Sequence, residues 1–388
     1  MKTLNDLFFS KVSLYIINCL ILLSFCYTNF LGPISKFFSL FSFAFCGIFF
    51  FIYLIDHKFS KFDIALIIYF VFGLFSSILG SSASILLFLE INIKIIGYTF
   101  YLEKSILLHS KKIIITLENI FLLLIFINFI TILLFPNGLY VTERYSTNWF
   151  FQYDNTHIFM YMPAIAISFL SSSINDKKIS IKNVILLLLI VFSVFYCKSS
   201  NSIIGLSIFI IYLLFNRFFD KIKLLNSKTY FIIFILIFVF IVLFRIQYIF
   251  EWLIVGIFNK KLTFTGRTYI WDKCIKLITK APLLGYGFED SSIFSLKLGS
   301  IYFTHAHNTL LNVMYRGGLF LLVSFLSILV LTSQQLYIYK KYSITRLCSI
   351  IFFSCLVMMN FEAREDKIGL YILLIIFYCI KHFIKNKN

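Results

Sequence analysis

The stretch IIITLENIFLLLIFINFITILLF, residues 113–135, decides the fold class. It carries a single charged residue, Glu118, and as a helix it is long enough to cross the ~30 Å hydrocarbon core of a bilayer. Backbone N–H and C=O groups find no water inside that core, so such a run must form a helix that bonds its own backbone. Comparable runs recur along the whole chain, and the period-two alternation of a membrane β-barrel is absent. The sequence therefore predicts an all-α integral membrane protein.

The composition excludes a soluble globular protein. Hydrophobic residues make up 60% of the chain and charged residues 13%, against about 25% charged residues in soluble domains. A chain this apolar has too many hydrophobic side chains to hide in a core surrounded by water. We predict one polytopic membrane domain, residues 1–388.

The apolar runs predict about twelve membrane spans, the first of which is retained because it lacks a small-x-small cleavage site. Their bounds, within a few residues each, are 12–31, 37–55, 62–80, 84–102, 113–135, 157–172, 183–197, 202–217, 229–250, 309–331, 346–360 and 367–383.

Lysine and arginine predict the orientation of these spans. They collect in the segments after every second span, whereas the four short segments on the other side hold only Lys36, Lys198 and Arg364. Because positively charged residues resist translocation, the basic segments and both termini are predicted to be cytoplasmic. The net charge of +18 is thus mainly a topology signal, and it gives no indication of nucleic-acid binding.

Two outer segments are longer than an ordinary connection, residues 136–156 and residues 251–308, the latter between spans nine and ten. Loops longer than about 15 residues are usually functional or disordered. Within the second loop, residues 266–280 predict an amphipathic helix that Pro282 ends. Gly285 and Gly287 then predict a tight turn, which could also let the backbone approach a ligand closely. We expect this helix to lie on the outer surface of the membrane beside the bundle.

The large outer loop has an excess of basic residues and ends in two histidines. The basic charge fits either an anionic ligand, since guanidinium groups pair with phosphate oxygens, or the anionic head groups of lipids. His305 and His307 fit either a general base or polar residues at the membrane interface. A zinc site would need a third ligand, and the sequence offers none at a suitable distance, so we expect no metal. The charged segment 362–366 is interpreted as a solvated turn.

Four short motifs in and after this loop resemble the O-antigen ligase/polymerase superfamily. The first two are GRTYIW (266–271) and APLLGYGF (281–288), similar to the family pattern G-R-x-x-x-W, a helix, then P-L-L-G-x-G. The next two are HNTLL (307–311) and RGGLF (316–320), similar to H-N-x-x-L and a glycine turn. They follow the family's order over about 60 residues, and together they are moderately specific.

The resemblance implies a membrane glycosyltransferase at the outer face of the bacterial plasma (inner) membrane. Such enzymes transfer a glycan from undecaprenyl diphosphate to a sugar hydroxyl, with neither metal nor cofactor. Arg267 would bind the diphosphate and His307 would act as the base or orient the acceptor. Further substrate-binding candidates are Arg316, Arg144, His305, Asn308, Gly285 and Gly287. A structural ion pair is the simpler interpretation of Arg144.

The leading hypothesis is an O-antigen or capsule polymerase that adds the growing chain to the non-reducing end of the next lipid-linked repeat unit. The alternative with the same chemistry is a ligase that moves the finished glycan to lipid A core or to a protein. Partners would be the lipid-linked oligosaccharides, with a chain-length regulator and a flippase as additional partners. A third hypothesis, that the chain is itself a flippase, is disfavoured because no internal repeat is found.

Overall fold

A computed structural model describes residues 8–26, 31–56, 58–142, 145, 147–177, 179–246, 266–301 and 303–384. These residues form helices and connecting turns, with two isolated β-bridges and no strand among them. The all-α prediction is therefore confirmed for the part of the chain that is described. Residues 251–265 of the predicted outer loop, and Arg144 of the other outer loop, lie outside the described residues.

Thirteen α-helices follow one another in the described residues. Their bounds are α1 Lys11–Phe25, α2 Pro33–Asp56, α3 Lys61–Leu79, α4 Ile85–Leu134, α5 Asp154–Ile174, α6 Ile181–Cys197, α7 Ser200–Phe219, α8 Ser227–Ile237 (extended by a π-helical turn Phe238–Leu243), α9 Arg267–Ile278, α10 Ser291–Leu298, α11 Thr309–Ile338, α12 Ser343–Met359 and α13 Ile368–Tyr378. A 3₁₀ turn, Ile380–Phe383, follows α13.

Six of these helices, α2, α3, α4, α5, α7 and α11, are long and apolar enough to cross a membrane. The shorter apolar helices α1, α6, α8, α12 and α13 coincide with the other predicted spans. Helix α4 would be about 75 Å long if straight, more than twice the bilayer core, and its geometry is non-helical at His109. That break separates the predicted spans 84–102 and 113–135. The count of twelve spans and their orientation remain predictions.

Local sequence explains where several helices begin. Ser60 and Asp63 form a reciprocal capping box at the start of α3, and Ser180 and Asn183 do so for α6. Such caps satisfy backbone donors that the first turn of a helix leaves free. The helices then pack into one large apolar core, in which α2 lies against α4, and α3 lies against α11.

Candidate functional site

A second, smaller apolar core positions the described part of the outer loop. Trp271 and Cys274 of α9, fully buried, pack with Phe294 of α10 and with Leu311 and Tyr315 of α11. The predicted amphipathic helix is present as α9, but its apolar face is covered by these protein side chains rather than left for lipid. This packing fixes Arg267, the first residue of α9, beside the beginning of α11.

The glycine turn after α9 docks onto a break in α11. Helix α11 loses helical geometry at Gly317 and Gly318, and the freed backbone bonds to the turn: the N–H groups of Tyr286 and Gly287 donate to Tyr315 and Arg316 carbonyls, both at 2.8 Å. Gly285 and Gly287 have φ of +65° and +81°, which favours glycine. A Cβ on Gly285 would lie 2.5 Å from the Tyr315 carbonyl oxygen. These glycines thus bring two protein backbones together and fix the backbone of Arg316.

The carboxylate of Glu362, in the turn between α12 and α13, is contacted by four basic side chains of this region. Nη2 of Arg267 lies 3.4 Å from its Oε2, and Nη2 of Arg364 lies 3.9 Å from the same oxygen. Nε2 of His305 is hydrogen-bonded to its Oε1, and Nδ1 of His307 lies 3.1 Å from that oxygen. Arg267 and His307, 40 positions apart, therefore meet at one side chain.

The turn that carries Glu362 is buried, so its interpretation as a solvated charged turn is wrong. Glu362, Arg364 and Glu365 are each at most 2% exposed. The beginning of α11 holds this turn in place: Thr309 Oγ1 donates to the Glu362 carbonyl at 2.8 Å, and Asn308 Nδ2 donates to the Asn360 carbonyl at 2.9 Å.

Asn308 was predicted above to bind substrate, but both polar atoms of its side chain make hydrogen bonds within the protein. Its Nδ2 bonds the buried turn, and its Oδ1 accepts from the Leu311 N–H at 2.9 Å as the N-cap of α11. The residue is completely buried. In this arrangement Asn308 holds the preceding residue, His307, at the beginning of α11.

The two histidines differ in how their ring nitrogens are used. His305 bonds Glu362 through Nε2 and Thr304 Oγ1 through Nδ1 at 3.0 Å, so both nitrogens are occupied. Nδ1 of His307 is buried and lies 3.1 Å from Glu362 as an ion-pair contact without hydrogen-bond geometry, and its Nε2 makes no hydrogen bond to a described residue. His307 also has φ of +47°, an uncommon conformation for a non-glycine residue. Of the two, His307 is the one with a nitrogen left for a substrate.

Electrostatics keep Glu362 ionised. Burial by itself would raise its pKa, but the neighbouring His305 and Arg364 outweigh that effect and hold the pKa of Glu362 well below its usual value. Burial, and next the proximity of His307, lower the pKa of His305.

Beside this cluster lies a cavity of about 570 Å³ with two walls of different character. One wall carries charged and basic side chains, those of His305, Arg316, Arg364, Asp366 and Lys367. The other carries uncharged polar and aromatic side chains from the segment between α4 and α5, namely Tyr140, Thr142, Tyr145, Asn148, Gln152 and Tyr153. Arg267 and His307 flank the cavity through their contacts with Glu362 and His305 without being part of its lining.

Arg316 and Arg364 are the two arginines of the charged wall. Arg316 pairs with Glu365 at 2.8 Å. Arg364 lies 3.6 Å from the centroid of the Phe159 ring, and its Nη2 donates to the Asn155 carbonyl at 3.0 Å. The Nε of Arg364 is buried and has no hydrogen-bond partner among the described residues. A buried guanidinium with an unused donor, lining a cavity, is suited to an anionic ligand.

We expected no third metal ligand near the two histidines, and this expectation is wrong, because the carboxylate of Glu362 lies beside them. Ligand atoms of His305, His307 and Glu362 all lie within 4.8 Å of one another. The surroundings suit a divalent cation poorly, however. Arg267 and Arg364 contact the same carboxylate, so an ion there would sit beside two fixed positive charges. The donor set fits an orienting carboxylate better than a metal centre.

The sequence did not point to two side chains of this candidate site, those of Glu362 and Arg364. They lie more than 50 positions after His307 in a charged segment that looks like any solvated turn. The one available signal was the concentration of four charged residues between two very apolar spans, where charge is costly unless it is paired or functional.

The fold and the site together define a helical, multi-pass membrane protein with a cationic cavity at one end of its bundle. Residues 185–326 match the family model described as O-antigen ligase. The resemblance to the O-antigen ligase/polymerase superfamily, drawn above from four motifs, is thereby confirmed over a segment that contains all four.

A curated relative agrees with this match. The chain is 32% identical over 88 residues to the exopolysaccharide production protein ExoQ of Rhizobium meliloti (strain 1021). The alignment covers 20% of this chain and 20% of the relative. No solved structure matches the chain significantly. Glu362, Arg364 and the uncharged wall of the cavity lie outside the family match, so their assignment rests on the structure alone.

Proposed function

We propose that this protein is a membrane glycosyltransferase that polymerises a bacterial O-antigen or capsular polysaccharide. It would transfer the growing glycan from undecaprenyl diphosphate to the non-reducing end of the next lipid-linked repeat unit. The observation that carries the proposal is the convergence of Arg267, His305, His307 and Arg364 on Glu362 beside a membrane-end cavity. The superfamily resemblance supports the reaction class.

The guanidinium groups would hold the lipid diphosphate. Arg267 is about one-fifth exposed and its contact with Glu362 is long, so a diphosphate oxygen can replace that contact with a shorter one. Arg364 offers its unused Nε, and Arg316 lines the same cavity. As the bond between the sugar and the diphosphate breaks, negative charge grows on the leaving diphosphate, and fixed cations stabilise it.

His307 would take the proton of the acceptor hydroxyl. In the proposed step, Nε2 of His307 accepts that proton, the hydroxyl oxygen bonds the anomeric carbon, and the lipid diphosphate leaves with the electron pair. Glu362 holds the other side of the imidazole and stabilises the imidazolium that forms. The chemistry needs no metal, because the diphosphate is itself a good leaving group.

Substitution of the two central residues tests the proposal. Arg267→Ala and His307→Ala should each abolish long-chain surface glycan while membrane protein levels stay unchanged. Arg267→Lys should also be impaired, because a point charge cannot replace the two-pronged contact of a guanidinium. Arg217→Ala, at an exposed position near the end of α7, is the matched control and should make normal chains. Ladders of normal length from both site variants would show that the assignment is wrong.

A ligase is the second candidate, since the matching family model is described as O-antigen ligase. Both activities use the same donor chemistry and differ in the acceptor. Gel analysis of surface glycan from a deletion strain separates them: loss of a polymerase leaves single repeats attached, whereas loss of a ligase leaves no attached glycan. A flippase defect would instead leave lipid-linked units facing the cytoplasm.

A further inference from the structure

The segment between α4 and α5 supplies the wall of the cavity that complements the charged residues. Its described lining side chains carry no charge, and two of them, Tyr145 and Tyr153, stack with ring centroids 3.9 Å apart and planes 9° apart. A cavity lined by cations from one part of the chain and by aromatic and amide groups from another suits a ligand that has both a charged and an uncharged group.

Hydrogen bonds within the described part of this wall hold its backbone in place. The Asn148 carbonyl accepts from the Leu139 N–H at 2.7 Å, and Asn148 Nδ2 donates to the Tyr145 carbonyl at 2.9 Å. Trp149 Nε1 donates to the Phe135 carbonyl at 2.9 Å, which ties the segment to the end of α4. The lining side chains are therefore preorganised, which lowers the entropic cost of ordering them around a ligand.

Gln152 is the strained member of the wall. Its φ is +71°, and its backbone N–H and C=O are both paired with Trp149 at 2.9 Å. Its side-chain amide makes no hydrogen bond to the described residues, although it lines the cavity. Glycine would fit this backbone with less strain, so the glutamine side chain is retained at a cost.

Tyr153 connects the wall to the charged cluster. Two positions later comes Asn155, whose carbonyl accepts a hydrogen bond from Arg364 at 3.0 Å. Burial raises the pKa of Tyr153 well above its usual value, and the charge of Glu362 raises it further. Tyr153 thus lies at the boundary between the two walls.

We propose that this wall is the glycan subsite: it binds the uncharged sugar ring next to the diphosphate, with Tyr145 and Tyr153 as the stacking surface and Gln152 as the hydroxyl-binding amide. The inference rests on the proposed function, because it assumes that the charged wall takes the diphosphate of the same donor. Aromatic rings offer an apolar face to the C–H groups of a sugar ring, while amides and phenols bind its hydroxyls.

The test uses the full-length protein in proteoliposomes with two probes, the host's lipid-linked repeat unit as substrate and inorganic pyrophosphate as inhibitor. Tyr145→Ala should raise the KM for the repeat unit about tenfold, while Tyr145→Phe, which keeps the ring, should stay close to wild type. Inhibition by pyrophosphate should be unchanged in both. Arg364→Lys should instead weaken pyrophosphate inhibition and raise the KM for the repeat unit together, because both ligands carry the diphosphate. Tyr196→Phe, at an exposed position on α6, is the control tyrosine.

Gln152→Gly separates a binding role from a structural one. Relief of the positive φ should raise the melting temperature, while loss of the amide should raise the KM for the repeat unit. A higher melting temperature with an unchanged KM, or tyrosine variants that lose pyrophosphate inhibition instead of substrate affinity, would overturn the subsite. Wild-type protein that neither elongates the lipid-linked unit nor responds to pyrophosphate would instead refute the proposed function itself.

Discussion

Replacing Glu362 by glutamine is the sharpest perturbation of this site, because it keeps the shape of the side chain and removes only its charge. The carboxylate is 2% exposed and is shared by two histidines and two arginines. Glu362→Gln should therefore affect both the orientation of His307 and the balance of buried charge. The two effects have different magnitudes and different readouts.

The expected loss of activity follows from the role of the carboxylate against the imidazole. Where a carboxylate orients a catalytic histidine, its amide replacement lowers kcat by about 10⁴-fold, and we expect a loss of about 10³-fold or more here. The expected loss of stability comes from Arg364, which is 1% exposed and would lack its partner acid. Removing one partner of a buried ion pair costs about 3–5 kcal/mol.

Glu118→Gln is the matched control. Glu118 is also buried and accepts a hydrogen bond from Ser171 at 2.7 Å, but it belongs to α4 and lies outside the cavity. Its ion-pair partner Lys182 is 42% exposed, so this variant should lose only about 1–2 kcal/mol of stability and keep its activity.

The assay is single-turnover glycan transfer by purified protein at a temperature where both variants remain folded, with a thermal melt of each. The double variant Glu362→Gln/Arg364→Gln adds a stability check, since removal of both charges should recover much of the lost stability. Transfer by Glu362→Gln at more than a tenth of the wild-type rate would refute the orienting role of this carboxylate.

Three further predictions follow from the same contacts. Activity of the purified protein should survive EDTA, and a loss that divalent metal restores would show that His305, His307 and Glu362 form a metal centre. Gly318→Ala should destabilise the protein by about 2 kcal/mol or more, because φ is +60° and the added Cβ would overlap the Leu283 carbonyl; a melt and a transfer assay check this. The lowered pKa of Glu362 makes its ionised form stabilising above pH ~4.5, and this contribution is lost as pH falls, so Glu362→Gln should flatten the acid side of a pH–melting curve.

The helical architecture was predictable because a bilayer leaves the backbone few choices. Runs such as 113–135 carry enough apolar length to identify a helix without any tertiary information. The connection between the two spans of α4 was not predictable: it is a break at His109 alone, whereas the basic residues around it resemble an ordinary inner loop. The break of α11 at Gly317 and Gly318 depends on the docking of a turn some 30 positions earlier, which periodicity cannot reveal.

The candidate site was predictable only where residues are close in sequence. Arg267, His305 and His307 stood out because they lie in one basic loop with recognisable motifs. Glu362 and Arg364 come after α12 in the chain. Only the packing of their turn against the beginning of α11 brings them into the site. Charge patterning alone could not separate a buried ion cluster from a solvated turn, because both have the same composition.

The charge balance of the cluster indicates how substrate would engage it. In the structure each arginine already has an acid or a carbonyl as partner: Arg316 pairs with Glu365 at 2.8 Å, whereas Arg267 meets Glu362 only at 3.4 Å. Arg316 would lose a short ion pair on binding phosphate, whereas Arg267 would lose only a long and weak one. Of these two arginines, Arg267 therefore gives up the weaker ion pair and gains more free energy when it binds a phosphate oxygen. The same exchange would leave Glu362 to Arg364 and the two histidines, so that arrival of the diphosphate would itself strengthen the attraction between this carboxylate and His307.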